Sequence, residues 1–509
     1  MRTPLTFDEI VYFGASYTDS GAFFEASEKV AIVPIPFEAA GYDHQFSNGP
    51  VYADLVPGLI GVTGGEDLNY AVGGARISDN RNIEDLIGGT VDLNPFADED
   101  DLNFGVDYRH EVARYLNSGN ADGDLSNVAA SIYIGNNDTR EFEIPDGTHA
   151  EIFAAAEDYG RQLANSLLVQ TRPLLRAGVE TLIFNNLSNV EVFPASNASS
   201  DFIVNVGDHI VEAFNTALET IADRIETRGF ATTELIDLGL ILEEVTRDAS
   251  SFRFRDADLA VNFGEGSTPV PNPAARDIPV DQIAFFDQVH PTTEFHQIIA
   301  AYQAESLTSN VIVGTDDNDP DLMGTRGDDF VIGLDGRDTI ILDGGNDVAM
   351  GGRGDDVIDG GAGSDLIIGG SGNDQLVGGG RIDIIADGDG DDAVQGGDGG
   401  DLILAGAGND TIRGGDGRDF FVFTDPELLG RNRGDDHTVI VGNGGVDTLF
   451  LAVEDASEFD VDPNATVHDF GDLGLTVGQV ENIVVVEGLD FEINARSAQF
   501  AEADLWHLV

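Results

Sequence analysis

Residues 351–377 read G-G-R-G-D-D-V-I-D, G-G-A-G-S-D-L-I-I, G-G-S-G-N-D-Q-L-V: three copies of one nine-residue unit. The register extends without a gap from Gly324 to Val422, eleven units in all. Each unit has Asp at its sixth place: Asp329, Asp338, Asp347, Asp356, Asp365, Asp374, Asp383, Asp392, Asp401, Asp410 and Asp419. Ten units have Gly at the fourth place, and the eighth place is always apolar. The stretch holds 29 of the 63 glycines, 21 aspartates and no glutamate. A flexible acidic linker needs neither a fixed register nor a periodic apolar place, so this is an architectural repeat.

The unit has a direct physical reading. Glycine-rich turns reach φ > 0 and present backbone carbonyls. An Asp at a fixed place adds carboxylate oxygens, and an all-oxygen donor set suits Ca²⁺. The three residues after the Asp suit only a short strand whose middle residue points inward. Stacked units then give a small parallel β-solenoid with Ca²⁺ between its turns.

The array resembles the RTX family repeat, G-G-x-G-x-D-x-U-x. The resemblance implies a right-handed β-roll with two units per turn. Asp329, Asp347, Asp365, Asp383, Asp401 and Asp419 would line one edge, and Asp338, Asp356, Asp374, Asp392 and Asp410 the other. Roughly nine gaps for Ca²⁺ result. One unit, 378–386, has Arg381 where Gly belongs, and a strained or weakened site is expected there. Without metal the carboxylates repel and little apolar area is available, so calcium binding is expected to supply the folding energy. The resemblance also implies export by type I secretion machinery with an uncleaved C-terminal signal, hence an extracellular protein. The start, M-R-T-P-L-T-F-D-E-I, has no long apolar stretch like a signal peptide's, which fits that expectation.

The whole chain has 509 residues, with 93 acidic and 25 basic ones, and Lys29 is its single lysine. A net charge of −68 argues against nucleic acid as a partner. The hydrophobic share of 41% is too high for a disordered acidic chain. There is no cysteine, which excludes disulfides and thiolate chemistry. No apolar run is long enough for a membrane span. Oligomeric state is not legible, with a monomer the simplest expectation. The length implies two or three domains, read as 1–309, the repeat region 310–423 and a β-rich C-terminal capping and secretion-signal segment 424–509.

Residues 1–309 read as α/β with a parallel sheet. Apolar runs at 9–13, 129–134, 180–186 and 234–238 look like buried strands. Between them, Ile210, Phe214, Leu218, Ile221 and Ile225 recur at helical steps, with Gly229 as a stop. A second helical stretch, 148–177, ends before Gly178, and Pro173 is expected to kink or interrupt it.

The first strand runs into V-Y-F-G-A-S-Y-T-D-S-G (11–21), where Ser16 is a candidate nucleophile. A serine hydrolase also needs a base, a group to orient it and oxyanion donors. F-F-D-Q-V-H-P (285–291) offers His290 with Asp287 three residues earlier. N-Y-A-V-G-G-A (69–75) offers turn amides, and I-Y-I-G-N-N-D (132–138) offers Asn side chains at a strand end. Asp19 and Ser20 read as turn-makers.

Together these blocks resemble the SGNH (GDSL) hydrolase family over residues 5–305. The resemblance implies a three-layer α/β fold with Ser16 as nucleophile, Gly74 and Asn137 as oxyanion donors, and Asp287 and His290 completing a triad. Q-F-S-N-G-P-V (45–51) looks like a segment of its secreted lipase and phospholipase/haemolysin branch. Ala15 departs from the block's Asp, a change expected to affect loop packing more than chemistry. The implied activity is hydrolysis of an ester or lipid with no catalytic cofactor. A carbohydrate-ester deacetylase and a non-catalytic calcium-dependent surface or matrix protein are the alternatives. Residues 86–105 could form a lid or a surface loop.

Overall fold

The computed structural model describes residues 7–19, 22, 47, 50–64, 68–72, 75–78, 104–249, 252, 254–255, 260–263, 270–272, 275, 278, 280–286, 289–424, 437–453, 461 and 466–487. The suggested lid, 86–105, lies almost entirely outside them. The chain divides into two compact units, one mainly Pro4–Arg247 with Asp256–Leu307, the other Asp248–Arg255 with Thr308–Val509.

The first unit is α/β. Its sheet has four parallel strands in sequence order: β1 (Glu9–Gly14), β2 (Val128–Tyr133), β3 (Thr181–Asn185) and β4 (Thr232–Ile236). Every residue of β2 and β3 is buried, so both faces of the central strands are covered. The free edge of β1 is met by Thr63 and the 69–72 segment. Ile10 N–H donates to the Thr63 carbonyl (2.9 Å) and Tyr70 N–H to that of Tyr12 (2.9 Å). The fourth strand stops two residues before the expected end. Asp237 Oδ1 accepts from Leu240 N–H (3.0 Å), starting a helix where the sequence pattern continued the strand.

Seven helices are relevant: α1 (Tyr52–Ile60), α2 (Tyr108–Asn117), α3 (Asn136–Thr139), α4 (His149–Ala177), α5 (Asp201–Thr227), α6 (Leu238–Arg247) and α7 (Thr293–Thr308). A Thr148–Glu151 capping box opens α4, and Gly178 closes it at φ +105°. Of the two expected effects of Pro173, an interruption does not occur: the helix runs through it. It lies in the last turns, and the carbonyl it leaves without a partner belongs to Val169, a residue 55% exposed to water. Helices α4 and α5 pack so closely that a Cβ at Gly160 would sit 2.2 Å from the Ile210 carbonyl oxygen.

The second unit is a two-sheet parallel β-roll. Successive nine-residue units alternate between two nine-stranded sheets. Partners lie eighteen residues apart, as in Val348↔Leu366↔Ile384↔Leu402↔Phe420, so each coil holds two units. The eighth-place residues, from Val331 and Ile340 to Ile412 and Phe421, form one buried apolar column between the sheets. The repeat register ends at Val422, but the sheets continue. Thr438–Gly445 and Thr448–Val453 add to them at a step of 28 residues, followed by Leu475–Gly478 and Asn482–Glu487. Val467–Phe470 pairs antiparallel at one sheet's end.

The turns stack through their aspartates. Asp329 N–H donates to Asp347 Oδ1 (2.8 Å), Asp347 to Asp365 (2.9 Å), Asp365 to Asp383 (2.9 Å), Asp383 to Asp401 (3.0 Å) and Asp401 to Asp419 (3.0 Å). The other edge repeats the pattern through Asp338, Asp356, Asp374, Asp392 and Asp410. Oδ1 is thus used within the protein. Oδ2 of Asp338, Asp347, Asp356, Asp365, Asp374, Asp383, Asp392, Asp401 and Asp419 is buried with no hydrogen-bond partner. Asp329 and Asp410 differ. Thr325 donates to Asp329 Oδ2 through its amide (2.5 Å) and hydroxyl (3.0 Å), and the Thr438 hydroxyl reaches Asp410 Oδ2 (2.9 Å).

Arg381 takes φ +94°. The expected strain is therefore present at the one fourth place that lacks glycine, worth about 1–3 kcal/mol. Arg381→Gly should stabilise the folded roll by ~1 kcal/mol, about fivefold in its folding constant, and so lower the calcium concentration at which it half-folds. A calcium titration of both proteins checks this, and equal midpoints would remove strain as a factor.

Burial first, and neighbouring carboxylates second, push the roll aspartates upward. Asp365, Asp374 and Asp401 reach about 8, Asp347 and Asp392 about 7, and Asp356 and Asp419 about 6. Raised folded-state values favour the protonated carboxyl. The resulting stability is fully present below the unfolded value near pH ~4 and is lost as pH rises through 6 to 8. In excess chelator, the strand signal in circular dichroism should therefore fall between pH 5 and pH 8. Calcium should restore it at pH 8. A signal that grows with pH in chelator would contradict the burial argument.

Candidate active site

Ser16 follows β1 in a tight turn in which Thr18 N–H (3.0 Å) and Asp19 N–H (3.1 Å) both donate to the Ala15 carbonyl. Gly14 is needed at the strand end, because a Cβ there would lie 2.5 Å from the Tyr133 carbonyl and 2.7 Å from Thr18 Oγ1. Ala15 is buried and lines the cavity beside Ser16. Asp19 acts within the turn, its Oδ1 accepting from Ala22 N–H (2.7 Å). Ser20 lies outside the described residues.

The 69–75 block lies against this turn. The Asn69 side-chain amide donates to the Thr18 carbonyl, and Val72 N–H to the Gly14 carbonyl (3.2 Å). Gly74 itself lies outside the described residues. Glu111 of α2, which the sequence reading did not single out, ties the two blocks together. Its carboxylate accepts from Gly14 N–H (3.0 Å) and Val72 N–H (3.2 Å). Complete burial raises its pKa well above the usual range, against the pull of Arg114 and of these two amides.

The G-N-N-D block makes a sharp corner after β2. Gly135 takes φ +135°, and α3 begins at Asn136. Asn137 Nδ2 donates to the Ala75 carbonyl (3.2 Å), beside the position of Gly74 in the chain. Asn136 turns to the Tyr133 hydroxyl (3.2 Å). Asp138, fully buried, accepts from Ile77 N–H (2.9 Å) and Ser78 N–H (2.8 Å), fixing the chain beyond the 69–75 block.

His290 sits at the far end of the domain's sequence, yet its Nε2 lies 2.8 Å from Ser16 Oγ. It is 5% exposed. Phe286 N–H donates to the His290 carbonyl (2.8 Å). Asp287 lies outside the described residues. The Tyr17 hydroxyl holds the Val289 carbonyl, and Ser47, from the 45–51 segment, holds that of Pro291 (3.2 Å). A second histidine, His296, was not anticipated. It is buried, stacks on Tyr52, and accepts from Tyr52 N–H at Nδ1 (3.4 Å). Burial, then the nearby His290, lowers its pKa to about 3, so it stays neutral.

Ser16, Asn137 and His290 face one cavity of about 370 Å³. Its wall is mixed: Ile144, Val190, Phe193, Ile203, Val206 and Val211 give it an apolar share, and Thr139, Arg140, Ser188, Ser196 and Ser199 a polar one. An oxygen beside Ser16 can therefore meet polar groups while an apolar substituent meets hydrocarbon.

In the second unit, the orphaned Oδ2 atoms give the roll an oxygen-only donor set, which fits a hard divalent cation. Asp338, Asp347, Asp356, Asp365, Asp374, Asp383, Asp392, Asp401 and Asp419 would hold Ca²⁺, and the ion would supply the positive charge that these buried carboxylates lack. Asp447 shares the pattern: it continues the ladder by accepting from Asp419 N–H (3.0 Å) at Oδ1, and its Oδ2 is unpartnered. It was legible as the sixth place of G-N-G-G-V-D-T-L-F (442–450), but that copy is out of register with the array. Among the described residues, no helix is long and apolar enough to cross a membrane.

The RTX calcium-binding nonapeptide repeat model matches in overlapping segments between residues 321 and 423. No curated protein matches the chain. One solved structure, an alpha/beta hydrolase enzyme called LAE5 from the metagenome of Lake Arreo, Spain, aligns over 59% of this chain and 97% of its own. Its identity is 14% and its TM-score 0.28, too weak to bear on fold or function. The GDSL-like lipase/acylhydrolase model matches residues 10–302, more than half of the chain, and the protein belongs to that family.

Proposed function

We propose that the protein is a secreted serine ester hydrolase acting on substrates with an apolar acyl chain, and that calcium folds its C-terminal roll. The observation that carries this reading is the 2.8 Å approach of His290 Nε2 to Ser16 Oγ at the mouth of a cavity with a partly apolar wall. His290 takes the Ser16 hydroxyl proton as Oγ bonds to the ester carbonyl carbon, and Asp287 orients the imidazole. The Ser16 and Gly74 amides and the Asn137 side chain hold the oxyanion, a role in which one donor is worth ~2.7–4 kcal/mol. Collapse breaks the bond to the alcohol oxygen, which leaves with the proton from His290. Water, deprotonated by His290, then releases the acid and restores Ser16. No step in this scheme uses the calcium of the roll.

The charge and the roll support an extracellular setting. A roll that needs calcium stays unfolded where calcium is scarce, as export by type I machinery requires, and folds where it is abundant. The apolar residues Ile144, Val190, Phe193, Ile203, Val206 and Val211 in the cavity support an acyl chain as the bound group.

Fluorophosphonate labelling in millimolar calcium tests the nucleophile. Intact mass should show one adduct on the wild type and none on Ser16→Ala. An unlabelled, folded wild type would favour a binding protein without catalysis. Acyl preference is a separate test. Over an acetyl-to-hexanoyl ester series, kcat/KM should rise by up to roughly fourfold per added methylene, about 0.8 kcal/mol each, and Ile203→Asp should flatten the rise. A flat wild-type series would favour the acetyl-ester alternative.

A further inference from the structure

 

The unit 387–395 reads D-G-D-G-D-D-A-V-Q, with Asp387 at the first place. That first place is glycine in eight units, leucine in one (Leu342), alanine in one (Ala405) and aspartate only here. The position has a direction. At Gly333, Gly351, Gly369 and Gly378 a Cβ would come within 2.6 Å of Oδ2 of the same unit's sixth-place aspartate. A side chain at the first place therefore grows toward the orphaned oxygens of the ladder.

Asp387 does this. It is fully buried, and its Oδ1 accepts from Gly388 N–H (2.9 Å) and Gly406 N–H (2.5 Å). Its Oδ2 is buried with no hydrogen-bond partner, and so is Asp392 Oδ2. Carboxylate oxygens of Asp387, Asp392 and Asp410 all lie within 4.8 Å of one another, and all three residues are buried. Among the described residues this is the one such cluster of three acidic or imidazole groups. Three ionised carboxylates cannot share a buried space at that separation without a counter-charge. Either a cation or a shared proton must occupy it.

We propose that Asp387, Asp392 and Asp410 form a three-carboxylate Ca²⁺ site, distinct from the other rungs of the roll because it recruits a side chain from the first place of the repeat. The added negative ligand makes this the tightest site in the array, since Ca²⁺ affinity rises with the charge of its ligands. It lies in the C-terminal half of the repeats, and it is the rung that fills first as calcium rises.

Asp387→Gly tests this with opposite signs for the two readings, because it restores the commonest residue of the repeat. Calcium alone is titrated into the chelator-stripped full chain against a chromophoric chelator, and bound ions are counted by native mass spectrometry. The wild type should hold one ion about tenfold more tightly than the rest. Asp387→Gly should lose that tight class while the remaining ions bind as before, and Asp387→Asn should weaken it with less change in shape. Unchanged or tighter calcium binding in Asp387→Gly, with both variants folded in millimolar calcium, would overturn the proposal and leave a shared proton as the occupant. If Asp387→Gly failed to fold in calcium, Asp387→Asn decides: a retained tight ion overturns the site, and its loss supports it.

Discussion

Each turn of the roll is held to the next by one carboxylate oxygen, and the other oxygen of the same group is left buried and unpartnered. That division organises the C-terminal unit. The Oδ1 ladder sets an eighteen-residue stacking period and keeps the eighth-place side chains in one apolar column. The Oδ2 atoms then make the stack a poor structure without positive charge, because buried carboxylates without a counter-ion are costly. At Asp329 and Asp410, the Thr325 and Thr438 hydroxyls donate to Oδ2. One aspartate pattern thus serves both as backbone clamp and as cation cage.

The hydrolase unit depends on a different economy of buried polar groups. Gly14 lets the Ser16 turn approach β2, and Glu111 accepts from the amides of both Gly14 and Val72. Asp138 does the same for Ile77 and Ser78. Neither carboxylate needs to meet a substrate to matter. Glu111 fixes the backbone at Val72, and Asp138 fixes it at Ile77 and Ser78. His296 contributes a flat neutral ring beneath the site, and its burial keeps it from competing with His290 for a proton.

The strands of the α/β unit were legible because each is a short apolar run, and the long helices because their apolar residues recur at helical steps. The end of β4 was not, since Asp237 starts a helix within a run that still reads as apolar. Pro173 does not end its helix for a related reason: it lies in the last turns, and Val169, whose carbonyl its missing N–H would have met, is on the exposed face. Glu111 and His296 were invisible, because a single Glu or His on a helix carries no pattern. Asp447 had a pattern, but the 28-residue step hid it from a nine-residue count.

The sequence by itself determined a stacked parallel solenoid and its nine-residue period, because a repeat whose neighbours are its own copies needs only local information to stack. Two units per turn and the edge of each aspartate were implied by the family resemblance. It also named the chemical groups of the hydrolase site through short motifs. Only the tertiary structure decided which of them meet. Ser16 and His290 are 274 residues apart in the chain, and a parallel sheet brings them to 2.8 Å. Tertiary structure also decided which aspartate oxygens are spent on the backbone and which are left for a cation, because that depends on a neighbouring turn's amide and not on the residue itself.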